Sequence, residues 1–224
     1  VKRRAVLLLL AATGLASCAD PEPAEPRTGV SSVAADYLWP VHSRELGQGF
    51  CFTLVQGLTP VEVVARLGGT ELERVEWQRL VGPGDGERGD TGRFFLGVTR
   101  AGDDWSLIVE DNGALGVTES LVEPLSAGST VLAYYSDAEE HGRLLALRDG
   151  DVVLDFDSGT PDRWGGSRPG DFVPAMRAAG LIGGTGVTGP TGPALAFLDG
   201  QTGVRLTHDF LVERTYLLVT VPKP

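Results

Sequence analysis

The chain has 224 residues, 42% hydrophobic and 22% charged, with 30 acidic against 19 basic side chains and a formal charge of −11. A chain of that length hides roughly 70% of its unfolded surface, enough for one sizeable core, and its apolar share excludes a disordered tail. The acidic balance excludes general electrostatic binding of nucleic acid, which needs a basic face, and two cysteines exclude a disulfide scaffold or a cysteine-rich zinc module.

Lys2, Arg3 and Arg4 make a positive region ahead of an apolar stretch, Ala5 to Leu15. As a helix that stretch would span about 16 Å, against about 30 Å of membrane hydrocarbon. It has the shape of an export signal rather than of a membrane span. The Leu15-Ala16-Ser17-Cys18 that follows resembles the lipobox of bacterial lipoprotein signal peptides. The resemblance implies cleavage before Cys18 and a diacylglyceryl group on its sulfur. It also implies acylation, palmitate being the usual label, and anchoring to the outer face of the cytoplasmic membrane. Two buried acyl chains, at about 0.8 kcal/mol per CH₂, hold a protein stably where one chain is marginal. From Ala19 to Ser32 the composition turns to Pro, Glu, Ala and Ser without apolar periodicity, which reads as an extended tether. The expected organisation is a signal peptide over 1–17, the lipidated cysteine and tether over 18–32, one folded domain over 33–221 and a tail over 222–224.

Within the domain, 50–55 is a short, β-prone apolar run and predicts a central strand. Thr59, Pro60 and Glu62 spell a helix start with a capping box, and Gly68-Gly69 a stop. A polar, glycine-rich loop occupies 82–92. Strands are expected over 93–100 and 105–110, with Trp105, Leu107 and Val109 on one face and Asn112-Gly113 as a tight turn. A short helix near 118–125 precedes a strand over 129–135. Asp149-Gly150 predicts a two-residue hairpin placing 148 opposite 151, 147 opposite 152 and 145 opposite 154. Leu145, Leu147, Val152, Leu154 and Phe156 would then share a core face, and Arg148 would pair with Asp151. A helix capped at Asp171 should end at Gly180, others follow Pro193 and Thr207, and a last strand covers 216–221. The fold class is therefore α+β: one domain, an antiparallel-rich sheet and helices near both ends of the chain.

Several of these segments form an ordered series. Asp36-Tyr37 with Trp39 comes first, then Phe50-Cys51-Phe52-Thr53, Gly57-Leu58-Thr59-Pro60 and Arg66-Leu67-Gly68. Trp105 with Glu110, Leu125-Ser126, Pro174 with Met176, Gly180-Leu181 and Thr202-Gly203-Val204 follow. The series resembles an actinobacterial domain-of-unknown-function family, number 6461, over residues 36–221. The resemblance implies an actinobacterial origin and one compact domain, and carries no activity with it. Family members usually lack a lipobox, and the glycine-threonine stretch over 183–192 replaces a shorter link.

Five groups of residues are candidates for chemistry. Asp155 and Asp157, two apart on one strand, would both point away from the core, as a solvated acidic edge or as paired carboxylates for acid–base work. Asp137, Glu139, Glu140 and His141 offer four metal-ligand types within five residues, but without the oxygen spacing of a calcium loop or the histidines of a zinc site. Glu110, at the end of the Trp105 strand, is either a turn acid in water or the mouth of a shallow pocket lined by Trp39, Trp77 or Trp164. Cys51, between two phenylalanines, reads as a buried structural cysteine; His42 and His208 are the bases a nucleophilic thiol would need. The Gly184-to-Gly189 match to G-x-G-x-x-G lacks the preceding strand of a dinucleotide loop and reads as a surface loop.

The expected function is a non-enzymatic binding or interaction module at the cell envelope, without a cofactor. Its expected partners are the membrane, through the anchor, and a protein or envelope component; no nucleic acid is expected. The alternatives are an envelope hydrolase using Asp155, Asp157 or Glu110 through a cation, and an immunity-type inhibitor whose acidic surface meets a basic partner.

Overall fold

The computed structural model describes residues 33–81, 92–184 and 189–224, so the expected signal peptide, Cys18 and tether, all but the last residue of the loop expected over 82–92, and residues 185–188 lie outside the described residues. The strands are β1 (Gly49–Gln56), β2 (Thr70–Glu76), β3 (Arg93–Ala101), β4 (Trp105–Asp111), β5 (Thr130–Asp137), β6 (Gly142–Arg148), β7 (Asp151–Asp157), β8 (Trp164–Gly165) and β9 (Thr215–Pro222). They form a single sheet in the order β2-β9-β3-β4-β1-β5-β6-β7-β8, with every neighbouring pair antiparallel. The helices are α1 (Trp39–His42), α2 (Pro60–Arg66), α3 (Trp77–Leu80), α4 (Glu119–Ser126), α5 (Val173–Ala179), α6 (Thr191–Thr202) and α7 (His208–Val212). The architecture is α+β, with helices near both ends of the chain.

Both faces of the sheet are covered, which is why β1 reads as an unbroken apolar run. Successive side chains alternate: Phe50, Phe52 and Leu54 enter one apolar cluster, while Val55 enters the other beside buried Cys51 and Thr53. The first face carries α3, α5, α6 and α7, with Trp39 of α1 packed at its margin. The second carries α2, α4 and a 3-10 turn at Leu115–Val117. Helix α6 is buried along the whole run from Thr191 to Leu198, as befits a helix apolar on every side. It lies against the 3-10 turn at Ala34–Tyr37 so closely that a Cβ on Gly192 would stand 2.5 Å from the Ala34 carbonyl oxygen.

The capping box of α2 forms as expected, with Thr59 Oγ1 accepting from the Glu62 N–H and Glu62 accepting from the Thr59 N–H. Those hydrogen bonds hold the Glu62 carboxyl below its ordinary range. Thr207 Oγ1 caps α7 by accepting from the Phe210 N–H. Asp171 caps nothing: it belongs to a 3-10 turn, Pro169–Phe172, that leads into α5, and Gly180 ends that helix at φ 82° as expected. Helix α6 starts before Pro193, at Thr191.

The β6–β7 hairpin turns at Asp149 (φ 51°) and Gly150 (φ 82°), and its first pairs are the expected 148 with 151 and 147 with 152. A bulge then falls between Ala146 and Leu147, so Leu154 pairs with Ala146 and Asp155 with Leu145. The expected single core face is thereby split. Leu145, Leu147 and Val152 stay on the α4 face, whereas Leu154 and Phe156 turn to the α6 face. The expected Arg148–Asp151 pair is replaced as well: the Arg148 guanidinium lies over the Phe172 ring, and Asp151 accepts from the Ser167 hydroxyl.

Candidate functional site

On the α4 face a row of directly paired residues crosses five adjacent strands: Glu110 on β4, Cys51 on β1, Tyr135 on β5, Arg143 on β6 and Asp157 on β7. The β6–β7 bulge is what keeps Asp155 and Asp157 on this face, so they do not point away from the core but stand at the margin of a second one.

One end of the row is sealed. Glu110 is completely buried, neither in water nor at a pocket mouth, and Trp39, Trp77 and Trp164 belong to the opposite face. Asn112 (φ 52°) and Gly113 turn the chain back over it, and Oε1 accepts from the Leu115 N–H at 3.1 Å while Oε2 accepts from the Gly116 N–H at 3.2 Å. Both glycines are set by contact. A Cβ on Gly113 would lie 2.3 Å from Glu110 Oε1, and one on Gly116 1.9 Å from Thr53 Oγ1 and 2.7 Å from Cys51 Sγ. Burial drives the Glu110 carboxyl up to about 7, against the pull of those two N–H donors and the Cys51 thiol. Burial, then the carboxyl of Glu110, pushes the Cys51 thiol well above its usual value. Cys51 is thus the buried cysteine expected, but its neighbour is Glu110. His42 and His208 sit by Trp39, on the other side of the sheet.

The other end opens into a polar cleft of about 330 Å³ lined by Arg143, Asp155, Asp157, Thr160, Arg163 and Gly165. Arg143 organises it. Its Nε and Nη2 donate to the two oxygens of Asp155 at 2.8 and 2.9 Å, Nη2 also to Glu119 at 3.0 Å, and Nη1 to the Val117 carbonyl at 3.0 Å. The hydrogen bonds it donates to Asp155 hold the guanidinium even more firmly protonated. Since both Asp155 oxygens are taken, Asp157 is the carboxylate the cleft presents, with its Oδ1 accepting from the Gly159 N–H.

Asp137, Glu139 and His141 at the β5–β6 turn bring one ligand atom each within 4.8 Å of one another; Glu140 stands outside that group at φ 61°. Asp137 spends its carboxylate on the turn: Oδ1 accepts from the N–H groups of Glu139 and His141, and Oδ2 meets His141 Nδ1 at 3.2 Å.

A larger groove, about 480 Å³, lies on the opposite face and is lined by Trp39, His42, Ser43, Arg44, Glu45 and His208. Its indole is fixed: Trp39 Nε1 donates to the Leu206 carbonyl at 3.0 Å, the ring stacks on Phe52, and His208 meets it edge-on at 5.5 Å. Glu45 is tied to the Trp77 Nε1–H at 2.8 Å. Arg44 has no ion-pair partner among the described residues. Sequence reasoning did not find this groove, because nothing in the spacing of Trp39, Arg44 and His208 tells that α7 comes back beside α1.

A model of a family described only as being of unknown function, DUF6461, matches residues 30–224. No curated protein matches, and neither does any solved structure.

Proposed function

The chain belongs to that family of unknown function, and we propose a lipid-anchored, non-enzymatic binding module of the bacterial cell envelope that takes its ligand in the Trp39 groove. The groove carries the reading. It joins a rigid indole face to an unspent guanidinium and two imidazoles, in a chain whose formal charge is −11. A largely apolar concavity with a few convergent polar groups is the usual form of a ligand site. Its chemistry suits a ring with an apolar face and an acidic substituent, such as an acidic saccharide, with the acid on Arg44 and the ring on Trp39. The lipobox-like Leu15-Ala16-Ser17-Cys18 and the Pro/Glu-rich tether support the envelope placement. The non-enzymatic reading is supported by the commitments of the candidate acids: Glu110 is sealed, and both oxygens of Asp155 are held by Arg143.

Three experiments test the reading. Labelled palmitate should enter the wild-type chain and not Cys18→Ser, which should leave the membrane fraction; a Cys18→Ser chain that stays membrane-bound and labelled removes the anchor. Titrating glucuronic acid into the protein should change tryptophan fluorescence saturably, and Arg44→Ala should weaken that binding at least tenfold, while glucose gives no change. Equal responses to both sugars would sink the acidic-ligand assignment. A cation-dependent hydrolysis of an envelope substrate, lost in Asp157→Asn, would sink the non-enzymatic one.

A further inference from the structure

We propose that residues 112–117 form a latch over Cys51, held shut while the sealed carboxyl of Glu110 keeps its proton and opening more readily once that proton is lost. The argument is geometric first. A carboxylate taken out of water loses several kcal/mol of hydration, which a buried cation would offset. Among the described residues Glu110 has no such cation: burial, the N–H groups of Leu115 and Gly116 and the Cys51 thiol are what act on it. The other groups around it supply none. β1 presents Cys51, its thiol pushed up by burial, and Thr53. β5 presents Tyr135, held above its ordinary value by burial and neighbouring acids, and β3 brings apolar Leu96 to the same cluster. From α4, Glu119 is taken by Arg143, which stands three strands along the row with Asp157 beyond it.

The closed latch therefore binds a proton that the open one, with its carboxyl in water, gives up at an ordinary carboxyl value; the rise of Glu110 to about 7 agrees. Between those limits each pH unit favours the open form by about tenfold, and above about 7 the preference levels off. Opening has a consequence at the cleft. The Val117 carbonyl and Glu119, which lie on and just after the latch, are two of the groups that hold Arg143, so release of the segment frees that guanidinium from them.

Cys51 is the reporter. In the full chain carrying Cys18→Ser it is the sole thiol, and Gly116 lies directly over its sulfur. Its rate of reaction with 4,4′-dithiodipyridine, divided by the rate in the denatured chain at the same pH, should climb about tenfold per unit from pH 5 to 7 and then level off. Addition of Glu110→Gln should flatten the climb. A flat ratio in the parent, or the same slope in both, overturns the proposal. Local opening exposes little surface, so 1 M urea should leave the rate unchanged. A rate that rises with urea means that Cys51 is reached by global unfolding, and overturns the latch as well. Hydrogen exchange gives a reading that needs no variant: the Leu115 and Gly116 amides should be at least a hundredfold less protected than those of Phe52 and Ile108. Equal protection would make the opening global.

Discussion

Gly116 shows how much a single missing side chain can decide. Its backbone N–H reaches Glu110 because nothing stands between the turn and the sheet, and a Cβ there would meet Thr53 Oγ1 at 1.9 Å and Cys51 Sγ at 2.7 Å. Neither is the free end of a flexible chain, so Gly116→Ala has to lift the turn. We expect a loss of about 1–3 kcal/mol, as for other overpacked cores, and a melting temperature lower by roughly 2–4 °C per kcal/mol for a chain of this size. Gly200→Ala is the control. That glycine sits in α6 with nothing within 4 Å of the added carbon, so the change should be neutral or stabilising by up to about 1 kcal/mol. A Gly116→Ala melting curve matching that of Gly200→Ala would mean that the turn yields freely. The same residue marks a limit of sequence reading. Asn112-Gly113 announces a turn, but only the strand register tells that the turn folds back over Glu110, and an acid beside such a turn looks like one in water.

Local rules suffice at the scale of elements where the signal lies within a few residues, and fail where a distant partner decides. Thr207 is of the first kind: its hydroxyl accepts from the Phe210 N–H at 3.1 Å and starts α7, which brings His208 to the Trp39 groove. Thr207→Ala should cost about 1 kcal/mol, and Thr207→Ser should recover most of it. If α7 frays, ligand-dependent fluorescence should weaken along with stability; a loss of stability alone would separate the cap from the groove. The α2 capping box and the Asp149-Gly150 hairpin are legible for the same reason. β2 is of the second kind. Val75 is its one buried residue, and as an edge strand it is fixed by pairing with β9, which begins well over a hundred residues later. The β6–β7 bulge is another such case. With a core on each face, Leu154 and Phe156 are as well buried after the slip as before, so no apolar pattern forbids it. The bulge matters to the candidate site, because it brings Asp155 into the reach of Arg143.

Across the whole molecule, acidic side chains predominate, yet the carboxyl that should shape its pH dependence most is one without contact with water. Glu110 binds its proton more tightly folded than unfolded, having been driven from the usual 4.5 up to about 7. Between those values the native state holds more protons than the unfolded state, so stability falls as pH rises through that window and is level above it. Glu62 acts in the opposite sense, its lowered value favouring the folded state as pH rises through the acid range. A bare stability profile would therefore mix the two. The difference between the parent and Glu110→Gln removes every carboxyl the two chains share. Measured by urea unfolding at steps from pH 4.5 to 8, that difference should move against the parent by roughly 3 kcal/mol up to about pH 7 and then stay constant. A difference that does not change with pH would mean that the carboxyl stays ionised within the fold, its two N–H donors outweighing burial. One that moves in favour of the parent would mean that a cation reaches it. Either result would also remove the basis for a proton-held latch, since global unfolding and local opening expose the same group to the same water.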